Sequence, residues 1–291
     1  MYMFQDMVAN TKRRCTWRGW LCLVLPVLVC MLRKCACTAI STRTALVLKT
    51  HIVQPFQMML FKNMYRDLKG DAYLLLTNEA AEPALHGWGE VPNVVIFMHN
   101  SSLKRKIDHK HSVEHGVLEM EKYFKGRYDY MWLFESDAIY NGKYSDLLKL
   151  PDCDYMSMRG LTFNTNNATN WHWGALYGPQ MGKVPLNLRA GAVSQVNRYS
   201  MLYMQQLRAV SENGNGGFNE VFLPTVAYHY NFSICAITDS GIDMHVIWNR
   251  EVGVPIELDG KFYHKVSCHG MPRWRELCAS WNHSDHHAYV V

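Results

Sequence analysis

The stretch Tyr128-Asp129-Tyr130-Met131-Trp132-Leu133-Phe134-Glu135-Ser136-Asp137 decides the fold. From Tyr130 to Phe134 it is apolar at every position, so an extended chain here has two apolar faces. Such a run reads as a strand buried on both sides, the kind found inside a mostly parallel α/β sheet. The run stops at Glu135-Ser136-Asp137. Alternate side chains of a strand share a face, so Glu135 and Asp137 are expected to point the same way. Two carboxylates at the end of a buried strand are costly unless positive charge sits between them. A divalent cation carrying phosphate oxygens suits the pair, because hard cations take oxygen ligands and often hold only one or two carboxylates besides the phosphates. Ligands of open α/β sheets bind at the carboxyl ends of strands, which is where the pair falls. The plainer reading, two solvated acids at a strand exit, stays open at this point, since short acidic motifs are common.

Working outward, Ala45 to Lys49 reads as a buried first strand that ends at Thr50-His51, again a carboxyl end. Pro55 starts a helix with Phe56, Met59, Leu60, Met64 and Leu68 on one face and Gly70 as its stop. Ala72 to Leu76 and Val94 to Met98 read as the second and third strands. Ser112 is the N-cap of a helix that buries Val113, Val117, Met120 and Phe124 and closes at Gly126. Beyond the central stretch, Asn141-Gly142 marks a turn, Tyr144 to Leu150 a short helix and Asp154 to Met158 another strand. Strands alternating with helices predict βαβ units: one mixed, mostly parallel, Rossmann-like sheet flanked by helices. The crossover rule then lines Thr50, His51, Glu135 and Asp137 along one edge of that sheet.

The second half is less regular. Residues 164–177 are rich in Asn and Trp, and Trp171 and Trp173 near Gly174 are candidates for a sugar-stacking platform, with core packing as the alternative. A helix is predicted from about Arg198 to Val210. Pro224 is expected to end or kink a helix, which puts Glu220 near a break in regular structure. The tail carries His264, His269, His283, His286 and His287, but no pair has the spacing of a zinc helix motif and there is no Cys-x-x-Cys.

Composition bounds the function. The chain has 291 residues, 48% hydrophobic and 19% charged, which suits a packed core and is too apolar for disorder. The net charge of +5 comes with no basic helix and no aromatic–basic ribbon, so nucleic acid is not an expected partner. The basic run Leu103-Lys104-Arg105-Lys106 suits a phosphorylated small molecule instead. Near the N-terminus, Lys12, Arg13, Arg14 and Arg18 precede an apolar run that ends at Arg33-Lys34. We read residues 1–15 as a cytosolic tail, 16–34 as an uncleaved signal anchor with Arg18 snorkelling to the interface, and 35–43 as a stem. Residues 44–266 form the main domain and 267–291 a C-terminal extension. This predicts a single-pass type II protein of the Golgi or ER membrane with its main domain in the lumen. Sequons at Asn100, Asn167, Asn231 and Asn282 agree. So do the four cysteines after the anchor, Cys153, Cys235, Cys268 and Cys278, compatible with two disulfides; Cys268 with Cys278 is the expected pair.

Three segments, in order, resemble GT-A-type glycosyltransferases. Trp132-Leu133-Phe134-Glu135-Ser136-Asp137-Ala138-Ile139-Tyr140-Asn141-Gly142 is similar to the metal-binding segment of that class. Arg198-Tyr199-Ser200, a helix, and Asn219-Glu220-Val221-Phe222-Leu223-Pro224 resemble its acceptor side. Phe262-Tyr263-His264-Lys265-Val266 resembles the late segment that often supplies a histidine. The likeness spans about residues 44–266. It implies a GT-A-like fold, a nucleotide-sugar donor, a glycan or glycoprotein acceptor, and Mn²⁺ or Mg²⁺ held by Asp137, Glu135 and His264. It further implies that Thr50, His51, Glu135 and Asp137 contact the donor and that Glu220 is the general base if the enzyme inverts; Trp171 and Trp173, as a stacking platform, are the candidates for contacting the acceptor. One departure stands out: the usual triplet is often Asp-x-Asp, and Glu135 is the longer acid. A non-catalytic nucleotide-sugar or carbohydrate-binding protein of the same fold is the alternative. A hydrolase built on the late histidines lacks ligand spacing, and a nucleotidyltransferase would need a glycine-rich basic loop after Thr50.

Overall fold

A computed structural model describes residues 42–77, 79–96, 112–166, 172–246 and 258–264. All lie in the unit Thr42–Val291. The tail, the anchor and the C-terminal extension fall outside the described residues, as do Trp171, Cys268, Cys278 and the last four histidines of the tail. Among the described residues no helix is long and apolar enough to cross a membrane.

The central stretch does become an interior strand. Strand β1 (Thr44–Thr50) pairs in parallel with β2 (Ala72–Leu76), which pairs with β3 (Val94–Ile96). On its other side β1 pairs in parallel with β4 (Tyr130–Glu135). After the turn at Ser136-Asp137 come β5 (Ala138–Tyr140), β6 (Tyr155–Ser157) and β7 (Thr162–Phe163). Then follow β8 (Ala190–Gly191), β9 (Val196–Ser200), β10 (Ile234–Ala236), β11 (Met244–Val246) and β12 (Phe262–His264). The main sheet has seven strands in the order β10-β6-β9-β4-β1-β2-β3, and β11-β12-β5 and β7-β8 form two small sheets. In the main sheet only β9 runs against its neighbours, β4 and β6. The architecture is mixed α/β with a central, mostly parallel sheet flanked by helices.

The period-2 geometry of strands divides the core in two. Leu46, Leu48, Leu74, Leu76, Trp132 and Phe134 face one side, where α1 (Pro55–Asp67) packs with Phe56, Met58, Leu60, Phe61 and Met64. Ala45, Val47, Tyr73, Leu75, Met131 and Leu133 face the other, under α2 (Ser112–Phe124), α3 (Met201–Glu212) and α4 (Asn219–His229). Trp132 and Phe134 are fully buried. Each such side chain contributes about 1.5–3 kcal/mol relative to exposure.

Two expectations for the second half need correction. Residues 196–200 form strand β9 rather than the start of a helix. Arg198 is buried there: its guanidinium lies 4.5 Å from the centre of the Tyr130 ring and donates to the carbonyls of Leu150 and Pro151. The helix starts one residue after Ser200, whose hydroxyl caps it by accepting from the Tyr203 N–H at 3.0 Å. Likewise Glu220 sits in the first turn of α4, which runs on through Pro224 to His229. Proline has no N–H to donate to the carbonyl four residues back, which is that of Glu220. That carbonyl instead accepts the Ala192 N–H at 2.8 Å, so it is not left unpaired and the helix is tied to the chain leaving β8.

A disulfide joins Cys153, just before β6, to Cys235 in the adjoining β10, with Cα atoms 6.1 Å apart and a sequence separation of 82. Cross-linking a loop of that length removes conformational freedom from the unfolded chain worth about 4 kcal/mol. The double variant Cys153→Ala/Cys235→Ala is therefore expected to lose about 4 kcal/mol of unfolding free energy in urea under non-reducing conditions; an unchanged midpoint would show that the bridge is not formed.

Candidate functional site

The site grows from the register of two strands. In the parallel β1–β4 pair Lys49 stands opposite Glu135, on the face that also carries Ala45, Val47, Met131 and Leu133. Lys49 Nζ lies 4.0 Å from Glu135 Oε1, with both side chains largely out of solvent. Burial disfavours both charges. It pushes the Lys49 ammonium below its ordinary value and the Glu135 carboxyl above its own, and each group partly offsets the other's shift.

The chain then turns at Ser136-Asp137 into β5, which pairs antiparallel with β12. In that register Ala138 faces His264, so the late histidine comes to rest beside Asp137. His264 Nε2 is 3.5 Å from Asp137 Oδ1 and 4.0 Å from Glu135 Oε2. Ligand atoms of Glu135, Asp137 and His264 all lie within 4.8 Å of one another. The packing behind them is apolar: the Phe262 ring sits 4.9 Å from that of Tyr140 and 6.0 Å from that of Phe134. The expected Asn141-Gly142 turn is clamped as well. Asn141 accepts the N–H groups of Asp259 and Gly260 at its carbonyl and donates its side-chain amide to Asp259 at 3.0 Å. Behind the acids, Gln57 in the first turn of α1 donates to the carbonyl of Ser136 at 3.5 Å.

Glu220 reaches the same place from α4. Gln195 links it to the strand end: its side-chain amide donates to Glu220 Oε1 at 3.4 Å, while its backbone carbonyl accepts the N–H of Glu135 at 2.9 Å. The Glu220 carboxyl is raised above its ordinary value by burial, against the opposing pull of hydrogen bonds from Ser194 and Gln195 and of the charge of His264. Its own charge is felt at Glu135, which it pushes up further.

The structure thus brings Glu135, Asp137 and His264 together, with Glu220 linked to them through Gln195. Thr50 also lies on this edge of the sheet, one residue beyond Lys49 in the parallel register, with His51 next. The Thr50 hydroxyl is turned inward: it donates to the Ile52 carbonyl at 2.6 Å and accepts the Ile52 N–H at 3.2 Å. His51 is exposed. Trp173 is 8% exposed and packed in the second core with Leu176 and Met181, so its ring offers no open face for stacking. Sequence reasoning missed Lys49 and Gln195. Lys49 left a signal, a lone cation after the apolar run Ala45 to Leu48; Gln195, in a loop, left none.

Two carboxylates and one imidazole fit a divalent cation. The oxygens suit Mg²⁺ and Mn²⁺ alike, and the nitrogen favours the softer Mn²⁺. His264 offers a ring nitrogen, and its Nε2 is the atom that faces both acids.

No family model matches the sequence, and no curated protein matches it. Among solved structures, a crystal structure of mouse xyloside xylosyltransferase 1 in its apo form is similar at a TM-score of 0.42 and 11% sequence identity, over 76% of this chain and 97% of that one.

The raised Glu220 carboxyl has a consequence for stability. A group that holds its proton more tightly when folded costs stability as pH rises from its ordinary value, 4.5, through its folded value. Glutamine keeps the hydrogen-bonding oxygen without the charge. In EDTA, Glu220→Gln is therefore expected to match the parent in urea unfolding at about pH 4 and to exceed it at about pH 7.5. A gap that is constant across this range would place Glu220 in an ordinary solvated setting.

Proposed function

We propose that the chain is a glycosyltransferase that moves a sugar from a nucleotide-sugar donor to a hydroxyl of a glycan or glycoprotein, assisted by a divalent cation, Mn²⁺ before Mg²⁺. One observation carries this reading. Residues from three distant parts of the chain converge at the carboxyl end of the central strand: ligand atoms of Glu135, Asp137 and His264 lie within 4.8 Å of one another, and Gln195 links Glu220 to the strand end. That is where ligands of α/β sheets bind. It is also the order and pairing of roles that the resemblance to GT-A enzymes implies.

The division of labour follows from the positions. Asp137 and His264 hold the cation, with Glu135 alongside. When bound, the cation supplies Lewis-acid neutralisation of the leaving diphosphate. The end of β1 lies beside this point, so His51, exposed after Thr50, meets the nucleotide, and Thr50 holds the turn that presents it. Glu220 accepts the proton of the acceptor hydroxyl as it attacks the anomeric carbon. Its raised carboxyl pKa brings it closer to the range in which a general base works well, and Gln195 fixes its orientation. This is an inverting mechanism. Residues 16–34 anchor the enzyme as a type II protein in the Golgi or ER membrane, with 44–266 as the catalytic domain. A disulfide between Cys153 and Cys235 suits that oxidising lumen.

The test is release of nucleotide from a panel of UDP- and GDP-sugars by the full chain, with Mn²⁺, with Mg²⁺ and with EDTA. We expect slow hydrolysis of one donor that requires metal and is abolished in Asp137→Asn. Once the acceptor is found, Glu220→Gln should lower kcat by about 10²-fold with little change in KM, the scale of lost general-base catalysis. Tight donor binding without turnover under all conditions would instead identify a nucleotide-sugar-binding protein. No binding of any donor would remove the proposal.

A further inference from the structure

Among the described residues, Lys49 is a charged group at the strand end to which the mechanism above gives no role. It is held opposite Glu135 by the β1–β4 register, with Nζ 4.0 Å from Oε1. Glu135 turns its other oxygen, Oε2, to His264 Nε2 at 4.0 Å. One carboxylate therefore serves an ammonium on one oxygen and the cation-binding group on the other. Lys49 is fixed in place: its side chain is only 14% exposed, and its backbone sits in the ladder between β2 and β4.

We propose that Lys49 sets the charge of the metal site. By sharing Glu135 with the cation, it weakens the hold of the free protein on the metal and leaves the loaded site with positive charge for the donor's diphosphate. The inference rests on the metal-assisted reading above and deepens it. Counting Glu135, Asp137 and Lys49 alone, with Glu220 beyond Gln195 a constant that is the same with and without Lys49, two carboxylates and one ammonium carry one net negative charge. A divalent cation turns this into one net positive charge, which a nucleotide diphosphate then meets. Without Lys49 the same three ligands and cation sum to zero. The metal would bind more tightly, since its ligands carry more negative charge, and the diphosphate less tightly, since nothing is left over to attract it. A cation that arrives weakly and is completed by phosphate oxygens is the usual way such ions share protein and substrate ligands. The two affinities move in opposite directions, which a lysine that merely stabilised the fold would not produce.

The experiment uses the full chain and compares the parent with Lys49→Met, Lys49→Arg and Asp137→Asn. Mn²⁺ binding is followed by the electron paramagnetic resonance signal of the free ion, and UDP and GDP binding at saturating Mn²⁺ by calorimetry. For Lys49→Met we expect Mn²⁺ to bind about tenfold more tightly, or about 1.4 kcal/mol. We expect whichever diphosphate the parent binds to be held about tenfold more weakly. Thermal melting gives an independent readout. Metal-free Lys49→Met should melt below the parent, since Glu135 is left without its counter-charge, and Mn²⁺ should raise its melting temperature by more. Lys49→Arg should resemble the parent in all three measurements. If Lys49→Met does not fold, Lys49→Gln, which can still donate to Glu135, provides the same comparisons. Unchanged or weaker Mn²⁺ affinity in the folded neutral variant, or undiminished diphosphate binding, overturns the role of Lys49. If Mn²⁺ binding is then still lost in Asp137→Asn, only this proposal falls. If no chain binds Mn²⁺, or if Asp137→Asn binds it as the parent does, the metal-assisted reading falls with it.

Discussion

Lys49 and Glu135 face each other across the two central parallel strands, and the placing of charge at that point governs the rest of the site. From Ala45 to Leu48 and from Met131 to Phe134 every neighbour along these strands toward the amino end is apolar and buried. A single ion introduced there would be expelled or neutralised. The strands can end in charge only because the register sets an ammonium against a carboxylate, and because the chain then turns at once into β5 and its partner β12. That antiparallel pairing delivers His264 to Asp137. Three elements remote in sequence are thus brought to one point by strand pairing, a precise means of positioning, since one residue of slippage would send each side chain to the opposite face.

Glu220 is placed by a different device. A helix that carries a proline in its sixth position leaves one carbonyl of its first turn without an intrahelical donor. Here that carbonyl belongs to Glu220 and is taken by Ala192, while Thr225, one residue after the proline, bonds Ala190 through its hydroxyl. The start of α4 is thereby fastened to the chain between β8 and β9. Gln195, in the same connection, holds both the Glu220 side chain and the Glu135 backbone. The proline that would be a defect in an isolated helix gives the acid a defined position relative to the strand end.

These devices explain what the sequence disclosed and what it did not. Tyr130 to Phe134 announced a doubly buried strand because burial on both faces leaves no polar position in the pattern. The Glu-x-Asp at its end was legible for the same reason. The first-half strands and α1 were found within a residue or two, since Pro55, Gly70 and the apolar runs act locally. The second half was harder because its signals are tertiary. Arg198 reads as a polar helix residue, and only the Tyr130 and Trp132 rings and the carbonyls above it make it a strand interior. Pro224 reads as a break until Ala192 is seen to use the freed carbonyl. Trp173 beside glycine looked like a platform, and its ring is core. Lys49 was read as the end of a strand, when the register that gives it meaning lies 86 residues further along the chain.

The energetics give the charged pair at the strand ends no evident role in holding the fold together. Replacing a buried ion pair with well-packed apolar side chains is often neutral or stabilising, while removing one partner is costly. At the ends of β1 and β4, two apolar residues would complete the core that Ala45, Val47, Met131 and Leu133 already form. Instead there is a pair whose burial pushes both groups toward neutrality, next to Glu220, which burial also pushes toward its protonated form. On the proposed reading, a divalent cation would relieve the carboxylates and a diphosphate the positive charge that follows, each ligand correcting the imbalance left by the one before.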